Sequence, residues 1–216
     1  MSTETALVAS KIGGRTGAPL SPSDREWTSA SETHVELVPT PVDRQPSAYV
    51  QASWSQRERS GVDSLSARAL VSDDHLMLRL EWSVAEASPA ISDYNVFADA
   101  CGVLFPSNTT ANLGTMGSQD VPVTAWYWRA GQGSPVVLTA RGLGTTQPNG
   151  EHGLKAVAER AGNTWSLVLF HPTGGDRNGP ASGDASEIGF AVWSGAEGER
   201  AGLKFHTPDW LQFRVD

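Results

Sequence analysis

Two side chains in this 216-residue chain are best suited to coordination chemistry: a methionine set among glycines, Gly114-Thr115-Met116-Gly117, and a lysine 88 positions later in Gly202-Leu203-Lys204. A thioether is a soft donor that favours reduced transition metals and raises their reduction potential. An amine is a nitrogen donor only after it loses its proton, so binding through it weakens at low pH. By residue type alone both have plainer readings, because methionine fills gaps in cores and lysine is ordinarily solvated. His206, two residues beyond Lys204, is a second nitrogen donor, and on a strand that offset keeps it on the same face. Lack of side chains at the flanking glycines lets the backbone approach a flat ligand closely.

Composition limits what such donors could hold. Cys101 is the sole cysteine, which excludes an internal disulfide, a four-cysteine iron–sulfur cluster, a Cys-x-x-Cys redox pair and covalent haem attachment through Cys-x-x-Cys-His. A formal charge of −8 and a pI near 5.1 argue against nucleic acid or an anionic membrane as the main partner. The longest apolar runs, such as Leu167–Phe170, have strand length, so no membrane insertion is expected. The first 24 residues lack a cationic segment followed by an apolar one, and so do not read as a secretory signal. Neither Gly-x-Ser-x-Gly nor His-Glu-x-x-His occurs, so hydrolytic chemistry has no visible nucleophile or metal motif.

Elements must bring the two donors together across 88 residues. Residues 1–26, rich in Ser, Thr, Gly and Pro, are expected to be a flexible lead-in, and residues 27–216 to form one domain. Short β-type runs separated by turn signals predict an all-β fold, an antiparallel β-sandwich with short helical turns and long loops. The runs are 34–38, 48–54, 65–71, 76–82, 94–104, 121–130, 136–140, 156–160, 164–170, 189–194, 201–205 and 211–215. Leu76, Leu78, Leu80 and Trp82 alternate with Met77, Arg79 and Glu81, the period of a strand. Ser72-Asp73-Asp74-His75 and Ala161-Gly162-Asn163 predict hairpin turns. Residues 172–186 read as a polar loop, and helical turns are expected only near 93–99 and 197–200.

Several short blocks occur in a specific order: Asp99 to Phe105-Pro106, the Met116-Gly117 loop, and Pro122-Val123 leading to Trp126-Tyr127-Trp128-Arg129-Ala130. Arg141-Gly142-Leu143-Gly144-Thr145, Trp165 to Phe170, Phe190-Ala191-Val192-Trp193, and Glu199-Arg200 before Lys204 then follow. Over about residues 27–215 this resembles the haem b-binding gamma subunits of the type II dimethyl sulfoxide reductase family, which includes ethylbenzene and dimethylsulfide dehydrogenases and selenate and chlorate reductases. The resemblance implies that Met116 and Lys204 are the axial ligands of a haem b enclosed by the sandwich, with His206 as the alternative nitrogen ligand. It departs from the family's pattern at His206-Thr207-Pro208, where a serine-containing link is expected, and at Cys101.

A haem pocket is mostly apolar, so some of Phe105, Trp126, Trp128, Phe190 and Trp193 are expected to line it, while the rest form the core. Arg129, Arg141 and Arg200 are candidate partners for the propionates. The implied role is a non-catalytic electron-transfer subunit. It would work beside a molybdopterin alpha subunit and an iron–sulfur beta subunit, and exchange electrons with a c-type cytochrome or another redox carrier. With no export signal legible, the implied location is either cytoplasmic, or periplasmic through export with a signal-bearing partner. The alternative is a Trp-rich carbohydrate-binding β-sandwich module without redox activity, because sugar faces stack on aromatic rings.

Overall fold

The computed structural model describes residues 6–14, 17–150, 153–173 and 185–216. In chain order the strands are β1 (Ala6–Lys11), β2 (Thr33–Glu36), β3 (Val38–Pro39), β4 (Ser64–Val71), β5 (His75–Ser83), β6 (Ala100–Pro106), β7 (Val123–Arg129), β8 (Val136–Ala140), β9 (Gln147–Pro148), β10 (Lys155–Ala161), β11 (Thr164–Pro172), β12 (Ala185–Trp193), β13 (Phe205–His206) and β14 (Leu211–Val215). One sheet runs β10-β11-β5-β4-β1-β14, with β2 beside β4. The other runs β12-β6-β7-β8-β9, with β13 on the free side of β12 and β3 beyond it. β12 joins them, since Ala185–Ile188 pair with β14 while Gly189–Trp193 pair with β6. A strand that changes sheets in this way forms a corner of a sandwich.

The inward faces of both sheets make the main core. Leu76, Leu78, Leu80 and Trp82 of β5 meet Cys101, Val103 and Phe105 of β6, Trp126 and Trp128 of β7, and Phe190 and Val192 of β12. Trp82, Trp128 and Trp165 cluster with ring centroids 5.1–6.5 Å apart. The predicted alternation in β5 holds, and so do both hairpins, with Gly162 at φ 59° in the second. Met77 points the other way, under a lid made by Leu20, Trp27 and Ala30.

Three expectations change. Residues 6–11 form a central strand where a flexible lead-in was expected: β1 lies between β4 and β14, parallel to both, with Leu7 and Ala9 fully buried. The sandwich is therefore mixed, all its other described pairings being antiparallel. Residues Ala48–Trp54, expected as a strand, form the helix α1, started by Ser47 accepting the Val50 N–H at 3.4 Å. None of its residues is buried, so no apolar periodicity marks it as helical. Of the expected strand 201–205, only Phe205 is in β13. The expected polar loop 172–186 lies largely outside the described residues, and its last two residues open β12.

Candidate functional site

The outward face of the second sheet carries the site. Register places Gly102 and Leu104 of β6, Ala125 and Tyr127 of β7, and Gly189, Ala191 and Trp193 of β12 on this face, opposite the aromatic core. His206 pairs with Ala191 and joins the same face, while Phe205 pairs with Val192 and turns inward. The loop between β6 and β7 folds over this face, burying Ala111 and Leu113 against Leu104, Val123 and Ala191, with Met116 packed at the edge of the cluster.

Met116 is held by its backbone. It adopts φ 57°, a left-handed conformation uncommon for a residue with a side chain. Its N–H donates to Leu113 O at 3.0 Å and its carbonyl accepts from Gly142 N–H at 3.1 Å. The Gly117 N–H donates to Asn112 O at 2.9 Å. Gly117 is required here: it has φ 77°, and a Cβ would lie 2.5 Å from Val121 O. An over-determined loop of this kind can sustain local strain and fix a side chain's direction.

Lys204 is fixed from the other segment. Its carbonyl accepts three bonds, from the Thr40 N–H at 2.9 Å, the Thr40 hydroxyl at 3.1 Å and Arg59 Nη2 at 3.1 Å. Arg59 is in turn paired with buried Glu199 at 2.7 Å, and Glu199 accepts the Ser194 N–H at 3.0 Å. Gly202 permits the approach to Lys204, because a Cβ there would meet Gln45 Oε1. At Gly117 and Gly202, then, the missing side chain serves chain-to-chain packing.

The lysine side chain is only 8% exposed, its ammonium makes no hydrogen bond among the described residues, and it stands 5.7 Å from the Trp193 ring centre. Burial, reinforced by the Arg59 charge and opposed by Glu199, brings its pKa down to about 8. His206 is half-buried, with Nδ1 2.7 Å from Thr207 O. In the tautomer that donates there, Nε2 keeps a free lone pair that can bind a metal or accept a hydrogen bond. Burial lowers the pKa of His206 too, with the Lys204 and Arg59 charges adding to the shift.

One narrow cleft of about 20 Å³ brings these groups together. Leu104 and Ala191 come from the sheet, Leu113, Gly114 and Met116 from the β6–β7 loop, Leu143 from the segment after β8, and Thr40, Lys204 and His206 from the β3–β13 edge. Among the described residues, no group of three or more His, Cys, Asp or Glu side chains could hold a metal ion. The nearby donor set is instead thioether, amine and imidazole. Each of the three could bind the iron of a haem, should one occupy this site.

The other expected lining residues are distributed differently. Trp193 lies on the site's face, with its indole N–H donating to Ala201 O at 3.0 Å. Phe105, Trp126, Trp128 and Phe190 do not reach the cleft. They are buried on the opposite face, Trp126 packing 4.8 Å from Phe105. The cause is strand parity, since Leu104 and Phe105 cannot face the same way. Arg129 sits at the far end of β7, opposite Ala100, and Arg200 covers Phe97 at 4.5 Å. Arg141 is closer: its guanidinium donates to Gln119 O at 2.7 Å in the Met116 loop. Sequence reasoning missed Thr40, Leu104, Leu113, Leu143 and Ala191. It also missed Arg44, whose Nη1 lies 3.6 Å from where a Gly114 Cβ would stand.

Comparison with known proteins gives one consistent result. The pattern describing ethylbenzene dehydrogenase matches residues 24–165. The chlorate reductase gamma subunit of Ideonella dechloratans is 32% identical over 92% of this chain and 80% of its own length. A Haloferax mediterranei protein carrying the name of a respiratory nitrate reductase haem subunit is 31% identical over 90% of this chain and 68% of its own. Among solved structures, a Bacteroides uniformis protein described as carbohydrate-binding superposes with a TM-score of 0.56 over 99% of this chain and all of its own, at 11% identity. At that identity the likeness concerns the sandwich alone.

Proposed function

The chain belongs to the ethylbenzene dehydrogenase family, among the gamma subunits of type II dimethyl sulfoxide reductase enzymes, and from that premise we propose that it binds one haem b through Met116 and Lys204 and transfers electrons without catalysing a reaction itself. The observation that carries the ligand assignment is the shared cleft: two donors 88 residues apart line one narrow site. Of its two nitrogen donors, Lys204 is the more deeply buried.

Haem would supply one-electron exchange at its iron. The chain's residues would supply the rest. Met116 offers soft sulfur from a rigid loop. Lys204 offers an amine whose proton is easily lost. Leu104, Leu113 and Ala191 would exclude water, and Arg44 and Arg141, on the loop side, are the candidates to meet propionates. The relatives' names, as gamma subunits, support assembly with alpha and beta subunits, which the family resemblance implies to be molybdenum-containing and iron–sulfur proteins. A c-type cytochrome fits as external carrier, because a chain of charge −8 would steer a basic partner. The carbohydrate-binding alternative needs exposed aromatic platforms; Trp82, Trp126, Trp128 and Trp165 are all interior, which leaves Tyr49 and Tyr94 as the exposed aromatic side chains it could use.

The test is an absorption spectrum of the purified chain, oxidised and dithionite-reduced. Sharp α and β bands should appear on reduction and be altered in both Met116→Ala and Lys204→Ala. A protein that stays colourless after haem supplementation would overturn the proposal. Loss of the bands in His206→Ala, with Lys204→Ala unchanged, would move the nitrogen ligand to His206.

A further inference from the structure

A second concavity, open to solvent and of about 410 Å³, lies between α1, residues 94–97 and residues 196–203. Its rim carries Tyr49 and Tyr94, exposed at 81% and 86%. Its walls carry Trp54 and Phe97, each covered by an arginine: Arg57 at 4.7 Å from the Trp54 ring centre and Arg200 at 4.5 Å from that of Phe97. Among the described residues neither guanidinium has a salt bridge or hydrogen bond. Stacking holds each guanidinium plane while leaving its N–H donors free, an arrangement matched to carboxylates.

The electrostatics of this groove run against those of the chain. The molecule carries −8 overall, yet the groove's lining has two arginines against one carboxylate, Glu197. Tyr, Trp and Arg are the residues that dominate the energetics of protein interfaces. Two tyrosines exposed to this extent, with Ile91 at 58% three residues before Tyr94, suit a surface that is permanently covered. The position also matters: Leu203 lines the groove and Lys204, the next residue, lines the cofactor cleft.

We infer that this groove seats an acidic segment of a partner subunit, its carboxylates forked by Arg57 and Arg200 and its apolar side chains packed between Tyr49 and Tyr94. The inference rests on the chain being one subunit of a complex. It places that contact one residue along the chain from the proposed nitrogen ligand.

The experiment is co-expression of the full chain with the molybdenum and iron–sulfur subunits, reading association by sedimentation and haem by its reduced bands. The double charge reversal Arg57→Glu with Arg200→Glu should weaken association by about 100-fold. Tyr49→Ala with Tyr94→Ala should weaken it by about ten-fold or more. Both variants should keep the wild-type haem bands, which also report that they fold. Association within about three-fold of wild type in the charge-reversed variant overturns the inference, even if electron transfer to an external carrier slows. A wild-type complex that assembles without haem overturns the functional reading instead, while the association measurement still decides the docking site.

Discussion

Lys204 can ligate only as a neutral amine, so the pH dependence of haem binding tests the assignment directly. With the pKa brought from 10.5 to about 8 by burial and the Arg59 charge, about a tenth of the amine is neutral at pH 7, against about 0.03% for a solvated lysine. The fold thus relieves the deprotonation cost by about 300-fold, or about 3 kcal/mol. The assay is titration of the haem-free protein with haem under dithionite from pH 6 to 9.5, followed by the reduced bands. Affinity should rise about ten-fold per pH unit up to about 8 and level off above it.

The stability of the haem-free protein should move in the same direction. Because the folded-state pKa lies below the unfolded value, the folded form binds fewer protons between about pH 8 and 10.5, and stability should climb by about 3 kcal/mol across that window. An affinity profile flat from pH 6 to 9 would refute the reasoning. An inflection below 6.5 would instead assign the ligand to His206, whose pKa is lowered from that value.

Gly117→Ala forces a Cβ to within 2.5 Å of Val121 O at φ 77°. It should cost about 1–3 kcal/mol of loop strain, read as haem affinity lowered by about ten-fold or more while far-ultraviolet circular dichroism is unchanged. Arg59→Met leaves Glu199 buried without its cation and removes one of three donors to the Lys204 carbonyl. A loss of about 3–5 kcal/mol is expected in urea unfolding, and a change under 1 kcal/mol would show that the pair contributes little. Trp126→Ala empties a fully buried core position and should cost about 3–5 kcal/mol, leaving the reduced haem bands of the folded fraction unchanged in position. Shifted bands would place Trp126 against the cofactor after all.

The sequence was most legible where one physical rule acts alone. Strand periodicity in β5, the turn residues of both hairpins and the apolar run of β11 each specify local structure without tertiary help. It was least legible where two rules compete. Ala48–Trp54 carries aromatic and β-branched residues that favour a strand, yet a serine cap and an exposed surface make it a helix. Leu7 and Ala9 alternate within a polar terminus, and their burial depends on β4 and β14, more than fifty residues away. Arg59 and Thr40 could not be found from the sequence as supports of Lys204. Their contacts go to a backbone carbonyl, which carries no residue-type signal.

Parity divides the work within the second sheet. On β6 and β12 the large side chains Val103, Phe105, Phe190 and Val192 point inward and hold the two sheets together. Gly102, Gly189 and Ala191, interleaved with them, point outward and leave a shallow face. The β6–β7 loop can then carry Met116 close to that face without displacing core atoms, and β13 can present Lys204 at its edge. Substitutions on the two faces should therefore separate: inward changes act on stability, outward ones on cofactor binding, even between adjacent residues such as Leu104 and Phe105. An aromatic-rich strand pair marks the fold, while the small residues alternating with it mark the side on which the proposed cofactor would lie.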